Sequence, residues 1–119
     1  MVSTVANIAV ALVALLHLYF LVLEMFFWEK PLGLRVFGLT PEFAMASRAL
    51  AANQGLYNGF LTAGLVWGLS LGNAGDSIRI FFLGCVIVAG VFGGLTANHR
   101  ILWVQALPGA IALALVLAS

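Results

Sequence analysis

Charged residues are scarce in this chain. Only 8% of its 119 residues are charged and 64% are hydrophobic, whereas a soluble domain carries about 25% charged residues. So few charges do not cover a water-facing surface, which argues against an ordinary soluble domain. The net charge of +1 also argues against nucleic acid as a partner, because phosphate binding needs a basic patch. The composition indicates a single domain, residues 1–119, whose partner is the lipid bilayer.

Cysteine and metal-binding motifs are equally scarce. The single cysteine, Cys85, lies in an apolar run, where packing is a better interpretation than redox chemistry. The chain contains no CxxC, no HExxH and no phosphate-binding glycine loop, and its two histidines lie at different depths, which does not suit a bis-histidine haem. We therefore expect no metal site, and the sequence identifies neither a catalytic residue nor a cofactor.

Four apolar segments predict an all-α integral membrane protein, a four-transmembrane-helix up-down bundle. About 20 helical residues cross the hydrocarbon core, and short connections favour antiparallel neighbours. The first segment has no basic start and no cleavage site of the kind found in signal peptides, so it is interpreted as a retained helix. The predicted helices cover about 4–28, 41–72, 77–95 and 99–118.

Proline and glycine mark the first connection, WEKPLGLRVFGLTPE. Within it, Thr40-Pro41-Glu42 is typical of a helix start, with Thr as the cap, Pro in the first turn and Glu near the positive end of the helix dipole. Residues 73–76 form the second predicted turn, and TANHR the third.

The basic residues indicate an orientation. Four crossings place both termini on one side with the turn at 73–76, and that side carries only Arg79. The positive-inside rule then predicts a multi-pass protein of the bacterial inner membrane with both termini outside. The opposite, cytoplasmic side carries Lys30, Arg35, Arg48 and Arg100.

Polar side chains inside apolar segments are the candidate ligand-binding residues, because burying them costs free energy unless they are paired. Counted from the outer helix ends, three of them lie about 18–21 Å deep and three others about 27–28 Å deep. Two layers of this kind predict a polar pocket that opens towards the cytoplasm. The shallow layer holds His17, Asn58 and Gln105, the deep layer holds Glu24, Asn53 and Arg100, and Gln54 and Tyr57 complete the set.

Each of these residues also has a plainer interpretation. Glu24 lies within one turn of Trp28 and can reach interfacial water, and Arg100 can anchor a helix end. His17 can bond a neighbouring helix, and the asparagines can join helices without binding a ligand. The alternative for Glu24 is an ion pair with Arg100 in the deep layer.

Small residues recur at every fourth position of two segments, a spacing that lets helices approach closely in lipid. Packing within the chain and contact between subunits both explain it. The second alternative predicts a homo-oligomer, with a trimer as the first expectation. The residues are Gly55, Gly59 and Ala63, then Gly64, Gly68 and Gly72, and finally Gly90 and Gly94.

Two resemblances follow from these segments. Three segments carry the first resemblance: HLYFLVLEMFFWEKPLGLRVFGL (17–39), RALAANQGLYNGFL (48–61) and the NHR and Gln105 region. They resemble the bacterial membrane-protein family called domain of unknown function 1304. That resemblance implies four membrane helices and no particular activity. The chain is also similar, in architecture alone, to the membrane-associated eicosanoid and glutathione metabolism family. That second likeness implies a trimer with a cytoplasm-facing site, but Ala52 stands four residues after Arg48, where that family has Asn.

Three functions remain open from the sequence. The pocket can bind or modify a small amphipathic molecule, with Phe20, Phe27 and Phe60 against its tail. Glu24 can instead carry the proton of a small proton- or ion-coupled transporter, with His17 along the path. The third possibility is a structural subunit of a larger membrane complex. A pocket that opens on one side favours the first function, since transport needs access from both sides.

Overall fold

Helices make up the whole regular structure of this chain. The computed structural model describes all 119 residues and contains no strand, which confirms the predicted all-α class. Five α-helices follow one another, with a 3-10 turn before α4 and a π-helical segment before α5. The elements are α1 Val2–Phe26, α2 Pro31–Phe37, α3 Pro41–Ser70, the 3-10 turn Gly72–Gly75, α4 Asp76–Thr96, the π-helical segment Leu102–Ala106 and α5 Leu107–Ala118.

Two helical stretches are long and apolar enough to cross a membrane, Val2–Phe26 and Gly72–Thr96, each of 25 residues. Such a helix is about 37 Å long, more than the hydrocarbon core of about 30 Å. The apolar helix Leu102–Ala118 is shorter. Helix α3 has 30 residues, but its asparagines, glutamine and arginine lower its hydropathy. The arrangement of four crossings therefore stays a prediction.

The connection predicted between the first two long helices contains the short helix α2. Pro31 lies in its first turn, where the missing N–H costs no helical hydrogen bond. Gly38 ends the helix in the left-handed conformation, with φ 64°, and the Leu39 N–H donates to the Leu34 carbonyl at 2.9 Å, as is common at helix C-termini. Proline and glycine therefore mark the two ends of a helix here and do not exclude one.

Helix α3 begins as its sequence predicts. Pro41 is its first residue and Glu42 lies in its first turn. The Thr40 hydroxyl accepts a hydrogen bond from the Phe43 N–H at 3.1 Å, which satisfies one of the amide donors left free at a helix start. The helix start at Thr40-Pro41-Glu42 is therefore confirmed.

Packing divides the chain into two compact units. The first comprises Met1–Leu15 and Leu61–Ser119, and the second comprises Leu16–Phe60. In the first unit the Thr62 hydroxyl donates to the Ala14 carbonyl at 3.1 Å. Its buried core consists of small and branched apolar side chains: Ala6, Val10, Val13, Ala14, Leu65, Leu83, Val86, Ala112 and Val116.

Trp28 holds three helices together within the second unit. Its indole N–H donates to the Ser47 hydroxyl at 3.1 Å, and its ring lies 5.0 Å from that of Phe37 between centroids. The end of α1, the short helix α2 and the first turns of α3 therefore meet at one aromatic side chain.

Most of the glycines spaced four apart pack against other parts of the same chain, whereas Gly72 lies in the 3-10 turn with φ 59° and open space around it. A side chain on Gly68 would collide with Arg79, and one on Gly90 would collide with the backbone of Ala106. These positions let helices approach closely within the first unit. Packing within the chain therefore explains the spacing, which by itself does not indicate a subunit contact.

The π-helical segment before α5 was not predicted. Pro108 follows it and carries no N–H for the carbonyl four residues earlier. Losing that bond and avoiding the proline ring widen the preceding turn. The segment contains Gln105, which is half-buried. Segments of this kind occur often at functional sites.

Candidate functional site

Two of the eight candidate residues form a direct contact in the second unit. The Asn58 side-chain amide on α3 donates to the Glu24 carboxylate oxygen Oε1 on α1 at 2.5 Å. Asn58 is 5% exposed and Glu24 is half-buried. A hydrogen bond to a charged oxygen is shorter and stronger than one between neutral groups. This pair is the centre of the candidate site.

Glycines on α3 make the contact possible. A side chain at Gly55 would collide with Met25 and lie 3.2 Å from Glu24 Cβ, and one at Gly59 would collide with Leu21. The face of α3 that carries Asn58 therefore lies close against α1 for about one turn. An amide on a short side chain reaches the carboxylate because these two positions carry no side chain of their own.

The contact corrects the predicted layers. Counting from the outer helix ends separates Glu24 from Asn58 by about 7 Å, yet their polar atoms are 2.5 Å apart. Such counting requires that both helices start at the same level and run parallel, and the contact shows that this condition does not hold for α1 and α3. Depth counted along each helix gives the spacing within a helix but not the register between helices.

No lysine or arginine of the same unit forms an ion pair with Glu24. Arg48 pairs with Glu29 at 3.6 Å, with side chains that are 69% and 42% exposed. Lys30 and Arg35 are exposed, and neither forms an ion pair. Within its unit the Glu24 carboxylate therefore has a neutral amide as its polar partner.

His17 is completely buried, with an exposed fraction of 0%. Its ring lies edge-on to that of Phe20, with centroids 5.7 Å apart and an interplanar angle of 77°. Glu24 follows seven residues later on α1, two turns along the same side of the helix. Phe20 lies between them in sequence, one turn before Glu24 on that side.

The other candidates on α3 point away from this contact. Asn53, Gln54 and Tyr57 are exposed, and the Tyr57 ring packs against that of Phe60 with centroids 6.0 Å apart. Only Asn58 of the four α3 candidates is buried. The structure thus places three of them on the outer surface of the second unit.

The remaining two candidates belong to the first unit. Arg100 is exposed, and its backbone N–H donates to the Asn98 side-chain oxygen at 2.9 Å. Gln105 lies in the π-helical segment. A site that combines them with Glu24 and Asn53 stays a prediction.

A second polar cluster, in the first unit, was missed. Arg79 is 4% exposed and donates to the Asn7 side chain at 2.5 Å, to the Gly72 carbonyl at 3.1 Å and to the Asp76 carboxylate. Its Nε–H is buried without a partner. The sequence signal was the Asp76–Arg79 spacing of three at a helix start. Taken alone in the sequence, Arg79 indicates only the side of the membrane on which its turn lies.

The outer face of α4 carries an apolar groove of about 670 Å³, which includes Cys85. Its lining contains no charged side chain, and Cys85 is half-buried. This agrees with the interpretation of the thiol as an apolar packing group. The chain contains no group of three or more His, Cys, Asp or Glu residues placed to hold a metal ion.

Comparisons with known proteins show the family of this chain. No solved structure matches it. The uncharacterized protein YpaA of Lactococcus lactis subsp. lactis (strain IL1403) is 33% identical over 96 residues, 79% of this chain and 81% of the relative. The family model for the protein of unknown function DUF1304 matches residues 11–117. The predicted resemblance to domain of unknown function 1304 is thereby confirmed, and this chain belongs to the DUF1304 family.

Proposed function

We propose that this protein is a multi-pass membrane protein that binds a small amphipathic molecule at Glu24 and Asn58. The observation that carries the proposal is the 2.5 Å contact between a carboxylate of α1 and an amide of α3. Polar groups in an apolar segment cost free energy, and an ionisable one there is by default a candidate for function. A polar pair set in an apolar wall matches a ligand with a polar head group and an apolar tail.

Exposed apolar side chains support the membrane setting. Large hydrophobic residues on α1 and α4 face outwards, among them Leu12 at 60%, Leu15 at 60%, Phe81 at 65% and Phe92 at 68%. Surfaces of this kind are unfavourable in water and favourable against lipid tails. We propose four crossings, in which α3 and the helix that ends in α5 complete the two long apolar helices.

The aromatic residues near the polar pair are suited to the tail. Phe20 is half-buried one turn before Glu24, and Phe27 follows Glu24 by three residues and is 38% exposed. Phe60 instead packs against Tyr57 on the outer surface, so it is not part of the proposed tail contact. Ligand pockets combine apolar and aromatic walls with few polar groups. In the proposed orientation the polar pair lies towards the cytoplasmic end of α1.

A proton-coupled transporter is the second candidate, because a carboxylate without a cation in its unit is also suited to take up a proton. A structural subunit is the third, in which the pair only joins α1 to α3. Both differ from the first proposal in one respect. Neither requires a bound small molecule that depends on Glu24.

Native mass spectrometry of the protein released from its own membranes tests the proposal. We expect the wild type to retain a small-molecule adduct that Glu24→Gln loses, since glutamine keeps the acceptor for Asn58 but not the charge. Glu42→Gln is the matched control, because Glu42 is an exposed carboxylate on α3. An adduct-free wild type, or equal adducts in all three proteins, would refute the binding function. The same spectra give the subunit number, for which we propose a homo-oligomer.

A further inference from the structure

The charge around the candidate site points to the chemistry of its ligand. Asn58 gives Glu24 one N–H at 2.5 Å, and that N–H belongs to a neutral amide. A hydrogen bond from a neutral donor stabilises a carboxylate but leaves its charge in place. The lysine and the two arginines of the same unit do not supply the missing charge, since Arg48 is engaged with Glu29 and Lys30 and Arg35 are exposed and form no ion pair with Glu24.

A ligand can supply that charge. An anionic head group would place two like charges together in an apolar setting, which is strongly unfavourable. A neutral head group would leave the carboxylate as it is. A cationic head group offsets the charge and adds charge-assisted hydrogen bonding or direct contact. Electrostatics therefore ranks the three classes of head group in a definite order.

The neighbouring ring favours the same class. Phe20 lies one turn before Glu24 on the same side of α1 and is half-buried, with its centroid 6.3 Å from that of Tyr19. The face of an aromatic ring attracts alkylammonium groups, most strongly where water is excluded. A carboxylate and an aromatic ring one turn apart form the two kinds of contact that an ammonium group uses.

We infer that the head group bound at Glu24 and Asn58 is a cationic alkylammonium group, an inference that rests on the proposed function. The ligand is an amphiphile with an amine or a quaternary ammonium head. Its head group contacts the Glu24 carboxylate beside Phe20, and its tail lies in the apolar surroundings of α1. Two sources carry this chemistry, a free long-chain amine and the amine of a phospholipid such as phosphatidylethanolamine.

Titration of the full chain in nanodiscs of phosphatidylglycerol tests the inference by calorimetry, with empty discs as blanks. The probes share one decyl chain: decyltrimethylammonium, decyl glucoside and decanoate. The first has a permanent charge, so its binding does not depend on its own protonation. We expect it to bind the wild type about tenfold or more tightly than the neutral probe, because its charge offsets that of the carboxylate and it contacts the face of Phe20, and decanoate to bind most weakly.

Variants show whether Glu24 causes the preference. Glu24→Gln should abolish the tenfold difference while Glu42→Gln retains it, and Glu24→Asp, which keeps the charge, should retain part of it. If Glu24→Gln does not fold, Phe20→Leu serves in its place, because it removes the aromatic contact of the ammonium group and should reduce the preference. Added phosphatidylethanolamine should raise the apparent Kd of the probe if the lipid amine is the natural head group, and an unchanged Kd indicates the free amine.

Two results would overturn the inference. If decyltrimethylammonium and decyl glucoside bind equally and Glu24→Gln changes neither, the site does not select a cation, although amphiphile binding itself stands. If Glu42→Gln weakens the cation as much as Glu24→Gln does, the preference is a general surface effect. Absence of binding by every probe would remove the proposed function together with the inference.

Discussion

Glu24 and Asn58 lie on different helices, and their hydrogen bond joins α1 to α3. Interhelical hydrogen bonds in membranes contribute about 0.6 kcal/mol on average, and the stronger ones about 1–2 kcal/mol. A carboxylate acceptor places this bond at the upper end of that range. The glycines at 55 and 59 hold the two backbones close, so neither side chain has to stretch to form it.

A double-mutant cycle measures this contact. We expect Glu24→Leu and Asn58→Leu to be coupled by about 1–2 kcal/mol in unfolding free energy, because each single change leaves the other polar group without its partner. The measurement is thermal unfolding in detergent micelles. A parallel cycle of Glu24→Leu with Gln54→Leu is the control, since Gln54 is exposed one turn away, and its effects should add. Additive effects in the first cycle would show that the hydrogen bond contributes nothing to stability.

At the scale of elements, Arg79 connects the start of α4 to the residues around it. The guanidinium binds the Gly72 carbonyl in the 3-10 turn, the Asn7 side chain in α1 and the Asp76 carboxylate in its own helix. Several hydrogen bonds from one planar group set the direction of each partner, which a lysine in its place does not do. The turn between α3 and α4 is therefore held by a side chain that the sequence presents as an isolated charge.

Removing that group should destabilise the protein more than removing its acidic partner. Arg79→Met keeps an apolar stem but removes the hydrogen bonds to Asn7, Gly72 and Asp76, so we expect a loss of about 1–3 kcal/mol in unfolding free energy. Asp76→Asn should cost less than about 1 kcal/mol, because the Asp76 side chain is 43% exposed and asparagine still accepts a hydrogen bond.

Arg48→Met is the control for the loss of a cation. Its partner Glu29 is 3.6 Å away and both side chains are largely exposed, so the expected cost is within about 1 kcal/mol. Thermal unfolding followed by circular dichroism compares the three variants. Equal and small effects for Arg48→Met and Arg79→Met would show that Arg79 behaves as a surface charge.

Regular elements could be predicted from this sequence, whereas contacts between them could not. Composition gave the helical class, and the capping order Thr40-Pro41 gave the start of α3. Helix α2 was missed because Pro31 and Gly38 suit the two ends of a short helix as well as they suit a loop. Glu24 and Asn58 are both candidates from the sequence, but their pairing depends on the register between α1 and α3. The spacing of residues along one helix does not determine that register.

For the whole molecule, charge distribution is the strongest information about orientation. Cationic residues near membrane helices stay on the cytoplasmic side, and four of the five basic residues lie on one predicted side. In the structure Arg79, the basic residue predicted for the other side, is buried and paired with Asp76. If the proposed orientation is right, this pairing neutralises the one basic charge of the outer side and strengthens the charge asymmetry.

Reporter fusions at Ser119 test the proposed orientation. With both termini outside, alkaline phosphatase fused there should be active and green fluorescent protein should be dark. Replacing Lys30, Arg35 and Arg48 by glutamine should remove most of the cytoplasmic charge, leaving Arg100 as the basic residue of that side, and should give a mixture of both orientations. Arg79→Gln is the control, which should leave the wild-type pattern unchanged because it removes charge from the outer side. Bright green fluorescent protein and inactive phosphatase on the unaltered chain would show that the termini lie in the cytoplasm, and the candidate site would then open to the outside.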